Sequence, residues 1–389
     1  MLIEQLTLTN LLSFGPEAQT ITFKPLSVFI GPNGSGKSNL LAAIDLLRNA
    51  PDQLTKPIRE GGGVAEWLWK GHGKSDEATI NAVIPYVKGR GSVRYKFSFA
   101  ALQQRFELTG ERIDRFAPVG KETNPYPFYN FGYGNPTTIS MKTDDLRPIS
   151  PEDLDTDRSI LAQRRDPDLY SQITYLASIL PRIRLYREWS FGRNTPLRMP
   201  QKTDLPNEHL EPDAANLGLV LNRLRRNPQV KAAILKALRV LYDGIDDFDV
   251  QIEGGTVQVF LTEGNFVVPA TRLSDGTLRY LCLLAILCHP APPPLVCIEE
   301  PELGLHPDIL PTLAALLREA SERTQVIVTT HSDILVDAMT DMPESVYVCE
   351  KQSGKTTIKQ LSQTELAPWL ERYRLGELWT RGEIGGTRW

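Results

Sequence analysis

A chain of 389 residues with 41% hydrophobic and 23% charged side chains can bury a sizeable core, and its formal net charge of −4 gives no global attraction for nucleic acid or membrane. Any such affinity must be local. The longest apolar run, "YLCLLAILC", falls well short of a membrane span, and "MLIEQLTLTN" lacks the cationic start and long apolar run of a signal peptide, so a cytoplasmic protein is expected.

In chain order, "LIEQLTLTN" and "TITF" alternate like strands, and the unbroken apolar run "LSVFI" leads directly into Gly31. After a glycine loop, "SNLLAAIDLLRNA" carries apolar residues at helical spacing. "ATINAVIPYV", "SVRYKFSFA" and "QRFELTG" alternate like strands of an antiparallel sheet. From about 115 to 215, prolines, tyrosines and glycines interrupt every pattern, which reads as short helices and loops. "LGLVLNRLRR" and "VKAAILKALRVLY" are helical, three short strands follow to Ala270, and the last third alternates strand and helix. This divides the chain into an N-terminal lobe (1–114), an inserted helical and loop lid (115–242), a C-terminal lobe (243–355) and a tail (356–389). Cys282, Cys288, Cys297 and Cys349 form no C-x-x-C pair, and buried reduced thiols are expected.

Gly31-Pro32-Asn33-Gly34-Ser35-Gly36-Lys37-Ser38 fits G-x-x-x-x-G-K-[ST] and has the required strand before it and helix after it. Glycines let the backbone wrap a β-phosphate, Lys37 reaches the β and γ oxygens, and the Ser38 hydroxyl binds Mg²⁺. The cradle is therefore assigned to Gly31, Pro32, Asn33, Gly34, Ser35, Gly36, Lys37, Ser38 and Asn39, against the plainer alternative of a glycine-rich turn. "PLVCIEEPE" reads as a buried parallel strand with carboxylates at its C-terminal end, where such sheets bind ligands. Glu299 would hold the metal, directly or through water, and Glu300 would act as general base. "VIVTTHS" sets His331 at a neighbouring strand end, to donate to the γ-phosphate or orient water. His306 reads as a loop residue, and His72, His209 and His289 have no supporting neighbours.

Far along the chain, "TRLSDGTLRYL" places Ser274 and Gly276 at the mouth of a second helix, a second anion site. Taken in order, the phosphate loop, this serine-glycine signature, the double-acid strand, "PELGLHPD" and "TTHS" resemble the nucleotide-binding head of the ABC, SMC and RecF class of ATPases. More narrowly, the chain resembles standalone AAA-type ATPases grouped with RecF-like and overcoming-lysogenisation-defect proteins. The resemblance implies an α/β P-loop head with a mixed central sheet, an antiparallel β subdomain and an inserted helical lid. It implies Mg²⁺-dependent ATP hydrolysis in a head-to-tail homodimer, with Ser274 and Gly276 of one chain capping the γ-phosphate held by the other. It also implies action on nucleic acid in DNA repair or antiviral defence, or gating of a separate effector such as a nuclease or toxin.

Asp275 and Thr277 depart from the transporter signature, and Glu299 stands where aspartate is usual. The family's magnesium-contacting glutamine has candidates in Gln103, Gln104 and Gln163, each equally readable as a surface glutamine. The span between phosphate loop and signature is too short and proline-rich for a coiled-coil arm, which argues against a true SMC protein. Between Pro181 and Val240, twelve basic side chains, Arg182 through Arg239, face five acidic ones, with Tyr186, Trp189 and Phe191 interleaved. That is the footprint of a surface for DNA or RNA, or else of solvated helices whose arginines pair acids elsewhere. In the tail, Trp369, Tyr373 and Trp379 are expected to pack on their own domain.

Overall fold

The computed structural model describes all residues except 72–75, 87–90, 117–126, 133–136, 140–145, 151–152 and 387–389, so His72 lies outside the described residues. The strands in the first half are β1 (Gln5–Thr9), β2 (Gln19–Thr22), β3 (Leu26–Ile30), β4 (Glu77–Pro85), β5 (Ser92–Leu102), β6 (Arg105–Arg115), β7 (Pro127–Phe131), β8 (Thr137–Ile139) and β9 (Leu146–Pro148). Those in the second half are β10 (Arg184–Tyr186), β11 (Gln201–Lys202), β12 (Ile245–Glu253), β13 (Thr256–Glu263), β14 (Phe266–Pro269), β15 (Leu295–Glu299), β16 (Gln325–Thr329), β17 (Val346–Gln352) and β18 (Lys355–Gln360).

The central sheet has the order β10-β15-β16-β3-β17-β18. Its first five strands run parallel and β18 turns back antiparallel, which makes the sheet mixed as expected. Its inner strands read as unbroken apolar runs because both faces are covered. Alternate residues serve two different cores. Val28, Val296, Ile298 and Val328 face a core that contains the helices Asp275–Leu287 and Leu310–Ser321. Phe29, Leu295, Cys297 and Ile327 face the other, shared with the helix Lys37–Asn49 and the antiparallel sheet.

That second sheet, β2-β1-β4-β5-β6-β7-β8-β9, is antiparallel throughout. Residues 127–148, expected to be helices and loops, instead supply β7, β8 and β9. These strands are short, so their own pattern is weak; β7 pairs with the long β6, β8 with β7 and β9 with β8. Buried Gln325 locks the N-terminus to the central sheet, accepting from the Leu2 and Ile3 amides at 2.8 and 2.9 Å and donating to the Ile3 carbonyl at 2.8 Å.

A third, smaller sheet, β11-β13-β12 with β14 on β13, carries the expected helices Leu217–Leu224 and Pro228–Leu241 against it. The break between them is the Asn227-Pro228 cap, where the asparagine side chain accepts from the amides of Gln229 and Val230. In the tail only part of the expected packing occurs: Trp379 is buried, while Trp369 is 46% exposed. All four cysteines are free and buried, and burial pushes the Cys288 and Cys349 thiols up to about 12. No helix among the described residues is long and apolar enough to cross a membrane.

Candidate nucleotide site

The glycine loop joins β3 to the helix Lys37–Asn49. At Gly31 a β-carbon would lie 2.2 Å from the Cys349 carbonyl, and at Gly36 it would lie 2.1 Å from the Thr356 hydroxyl, with both residues at positive φ. Only glycine fits either place. Thr356 and Ser13 form the buttress: the Thr356 hydroxyl donates to the Ser35 carbonyl at 2.8 Å and is hydrogen-bonded with the Ser13 hydroxyl at 2.7 Å. Asn39 also turns to Ser13, donating from Nδ2 at 2.7 Å.

The other side of the loop is built to receive an anion. Gly34 faces open space, Gly36 caps the helix with no side-chain bond, and the buried Ser35 hydroxyl has no partner among the described residues. Lys37 is folded back, with Nζ donating to the Gly31 and Pro32 carbonyls at 2.7 and 3.2 Å. Burial holds its ammonium below the ordinary lysine range, against the pull of Cys349, Glu300, Glu299 and Glu302. These residues fit a nucleotide phosphate chain.

Parallel pairing of β15 and β16 brings Glu299 level with Thr329, and the acids and His331 emerge at the same edge. The Ser38 hydroxyl bonds Glu299 Oε1, so the two assigned metal ligands touch. Serine hydroxyl and carboxylate are hard oxygen donors, which suits Mg²⁺. Glu300 adopts φ 45°, unusual for a residue with a side chain. Its amide donates to the Thr329 carbonyl at 2.9 Å, and its Oε1 lies 3.4 Å from His331 Nε2. The expected base and histidine therefore meet.

Three residues of this site were missed from sequence. Glu302 accepts from the Thr330 hydroxyl and the His331 amide, both at 2.7 Å, and holds the histidine turn in place. Burial pushes its carboxyl above the usual range while those two bonds oppose the shift. Arg187, at the end of β10, donates to Glu299 Oε2 at 3.1 Å and to the Ser38 carbonyl at 3.3 Å. Arg279, on the signature helix, donates to the Glu300 carbonyl at 2.6 Å, with its guanidinium 5.1 Å from the Trp189 ring and 5.7 Å from Phe191. The only signal for Glu302 was its place in "EEPE"; the arginines gave none, because their partners are more than twenty residues away or on another strand.

Ser274 caps the signature helix, accepting from the Thr277 amide at 3.0 Å. A β-carbon on Gly276 would lie 2.7 Å from the Gly304 carbonyl, so this glycine admits the loop that follows the double acid. Asp275 is bonded by Arg198, whose Nη1 also donates to the Leu273 carbonyl at 2.6 Å. The charge that departs from the transporter signature thus has a partner on the inserted segment.

Residues 26–337 match the AAA_21 family, described as "AAA domain, putative AbiEii toxin, Type IV TA system". The chain belongs to this family. Three solved SMC heads share the fold of this AAA_21 chain. The first is an SMC head bound to the C-winged helix domain of ScpA, with TM-score 0.60 and 16% identity over 94% of this chain and 99% of that one. The second, from Pyrococcus furiosus, carries an extended coiled coil and is bound to the C-terminal domain of ScpA, with TM-score 0.59 and 14% identity over 95% and 98%. The third, from Pyrococcus yayanosii, carries a coiled coil and joint, with TM-score 0.53 and 13% identity over 95% and 99%. No curated protein matches the sequence. The AAA_21 chain thus has the fold of these SMC heads.

Other expectations about this AAA_21 head change. Gln103 and Gln104 form the exposed tip between β5 and β6, and Gln163 bonds Asp155 and Arg158. None of the three bonds Ser38, Glu299 or Glu300 among the described residues. Five of the twelve basic side chains between Pro181 and Val240 pair with acids, while seven of the twelve, Arg239 among them, are exposed. Arg184 pairs Glu211, Arg187 pairs Glu299, Arg198 pairs Asp275, Arg225 pairs Asp249 and Lys231 pairs Asp247, while Arg239 bonds the Ile245 and Asp246 carbonyls. Tyr186 is buried and stacks near Trp189, which stacks on Phe191, so these rings serve the core and Arg279 rather than an open base platform.

Proposed function

We propose that this chain binds Mg²⁺–ATP in the loop 31–38, hydrolyses it slowly in an ATP-dependent head-to-tail dimer, and uses the dimer state to gate a partner protein. The observation that carries the reading is the meeting of Glu300 Oε1 and His331 Nε2 at 3.4 Å beside the Ser38–Glu299 contact. Ser38 and Glu299 would hold the metal, which when bound neutralises charge on the β and γ phosphate oxygens. Lys37 would leave the loop carbonyls for the phosphates. Glu300 would take the proton from the attacking water at its carboxylate, and His331 would hold that water or the γ-phosphate by a hydrogen bond.

Support for the trans arrangement comes from Ser274, Asp275 and Gly276, each engaged by its own helix, Arg198 or the Gly304 loop, so that the signature stands as a finished surface for another chain. Support for a protein partner comes from the pairing of Arg184, Arg187, Arg198, Arg225 and Lys231 with acids and from the family's toxin–antitoxin description. Exposed Arg182, Arg193, Lys202, Arg223, Arg226 and Lys236 leave a sparser surface that favours nucleic acid as the second reading.

Mixing two inactive chains tests the dimer. Lys37→Ala should abolish nucleotide binding, and Ser274→Arg should leave it intact while blocking dimerisation. Their mixture keeps one composite site and should recover part of the wild-type hydrolysis. Full hydrolysis by Ser274→Arg alone would refute the shared site. ATP-dependent binding of duplex or single-stranded DNA or RNA at low salt, weakened by Arg223→Glu with Arg226→Glu, would favour the second reading over partner gating.

A further inference from the structure

Arg187 touches both residues assigned to the metal, Glu299 through its carboxylate and Ser38 through its backbone carbonyl. Its Nε lies 3.1 Å from Glu299 Oε2, its Nη2 lies 3.3 Å from the Ser38 carbonyl, and the Ser38 hydroxyl occupies Glu299 Oε1. The Glu299 side chain is only 16% exposed, at the end of a buried strand, and an unpaired carboxylate there is unfavourable. We propose that the Arg187 guanidinium is the resident cation of the metal site, which Mg²⁺ displaces on loading, so that Arg187 sets the Mg²⁺ concentration at which the site fills. The inference rests on the Mg²⁺–ATP reading.

The physical argument is competition for one carboxylate. Mg²⁺ binds oxygens at about 2.0–2.1 Å in near-octahedral geometry. It needs Ser38 Oγ and a Glu299 oxygen turned toward it, directly or through water, whereas both Glu299 oxygens are already engaged. A divalent ion and a guanidinium within a few ångströms also repel. Arg187 can leave, because it is the first residue beyond the edge strand β10, half-buried and followed by exposed Glu188. Two residues further on begin the rings that flank Arg279, and Arg279 holds the Glu300 carbonyl. Movement of Arg187 therefore pulls on the chain that positions the base.

The test titrates Mg²⁺ against binding of a non-hydrolysable ATP analogue, in wild type, Arg187→Met and Arg187→Lys. The half-saturating Mg²⁺ concentration should fall about threefold to tenfold in Arg187→Met, the range expected for losing a partly exposed charged competitor. Arg187→Lys, which keeps the cation, should stay near wild type. Without metal or nucleotide, Arg187→Met should melt lower than wild type, and the difference should shrink in a Glu299→Gln background, where no carboxylate needs a counter-charge. An unchanged or raised Mg²⁺ requirement in Arg187→Met overturns the proposal, the raised value assigning Arg187 to phosphate binding instead. Wild-type binding that needs no Mg²⁺ overturns the proposal and the Mg²⁺–ATP reading together; Mg²⁺-dependent wild type with an unmoved Arg187→Met overturns the proposal alone.

Discussion

Arg279→Met removes the contact between the signature helix and the catalytic strand end at nearly constant volume. Arg279 is buried, donates to the Glu300 carbonyl at 2.6 Å, and lies over the Trp189 and Phe191 rings at 5.1 and 5.7 Å. A hydrogen bond from a charged donor contributes about 1.5–3 kcal/mol, and each cation–π contact about 0.5–2 kcal/mol. Against this, methionine sulfur on the same rings returns about 0.3–1.5 kcal/mol, and the substitution relieves the burial of a charge. A net loss of about 2 kcal/mol follows from these terms. The urea midpoint should fall accordingly. Function should suffer differently: Glu300 sits at φ 45°, a conformation that costs about 1–3 kcal/mol and persists only where its surroundings hold it. With its carbonyl released, the carboxylate loses aim, so turnover should drop about tenfold, the equivalent of about 1.4 kcal/mol, while nucleotide affinity stays constant. Arg279→Lys, which keeps the charge, should recover part of the loss. An Arg279→Met protein with wild-type urea midpoint and wild-type turnover would refute the reasoning.

Two other predictions concern the base and the pH profile. Glu300→Gln should bind nucleotide normally and hydrolyse it about 10² to 10⁴ times more slowly, measured as phosphate release; wild-type turnover would remove Glu300 from the mechanism. His209 stacks edge-on against His289 at 4.9 Å, and burial, with the neighbouring His289 adding to it, pulls its imidazole down to about 4. An unfolded histidine protonates near about 6.5, so the unfolded chain takes up a proton first as pH falls; this contribution to stability is complete above about 6.5 and is lost toward about 4. Urea midpoints measured across that window should decline less steeply in His209→Gln, and an identical decline would show that the histidine pair does not control it.

Where local chemistry dictated the arrangement, the sequence was informative. Gly31 through Ser38 needs glycine at fixed offsets and a lysine within reach, and no partner elsewhere is required to recognise it. The apolar runs of β3, β15 and β16 announced a covered parallel sheet because burial on both faces leaves no place for polar residues. Strands β7 to β9 were illegible for the opposite reason, since strands of three to five residues carry too little alternation to stand out, and their pairing follows from β7 lying beside the long β6. The basic segment left two readings open, because composition counts charges and cannot tell that Arg225 faces Asp249 or that Arg198 faces Asp275.

The sequence by itself therefore made legible the glycine loop after β3, the acids at the end of β15 and the histidine beyond β16 as candidates for one site. Only the tertiary structure decided what stands around them. Arg187 meets Glu299 across 112 positions and Thr356 meets the Ser35 carbonyl across 321. The pairing of distant strands creates those contacts, parallel for β10 on β15 and antiparallel for β18 on β17, and it leaves no local periodic trace of which side chains will share an edge.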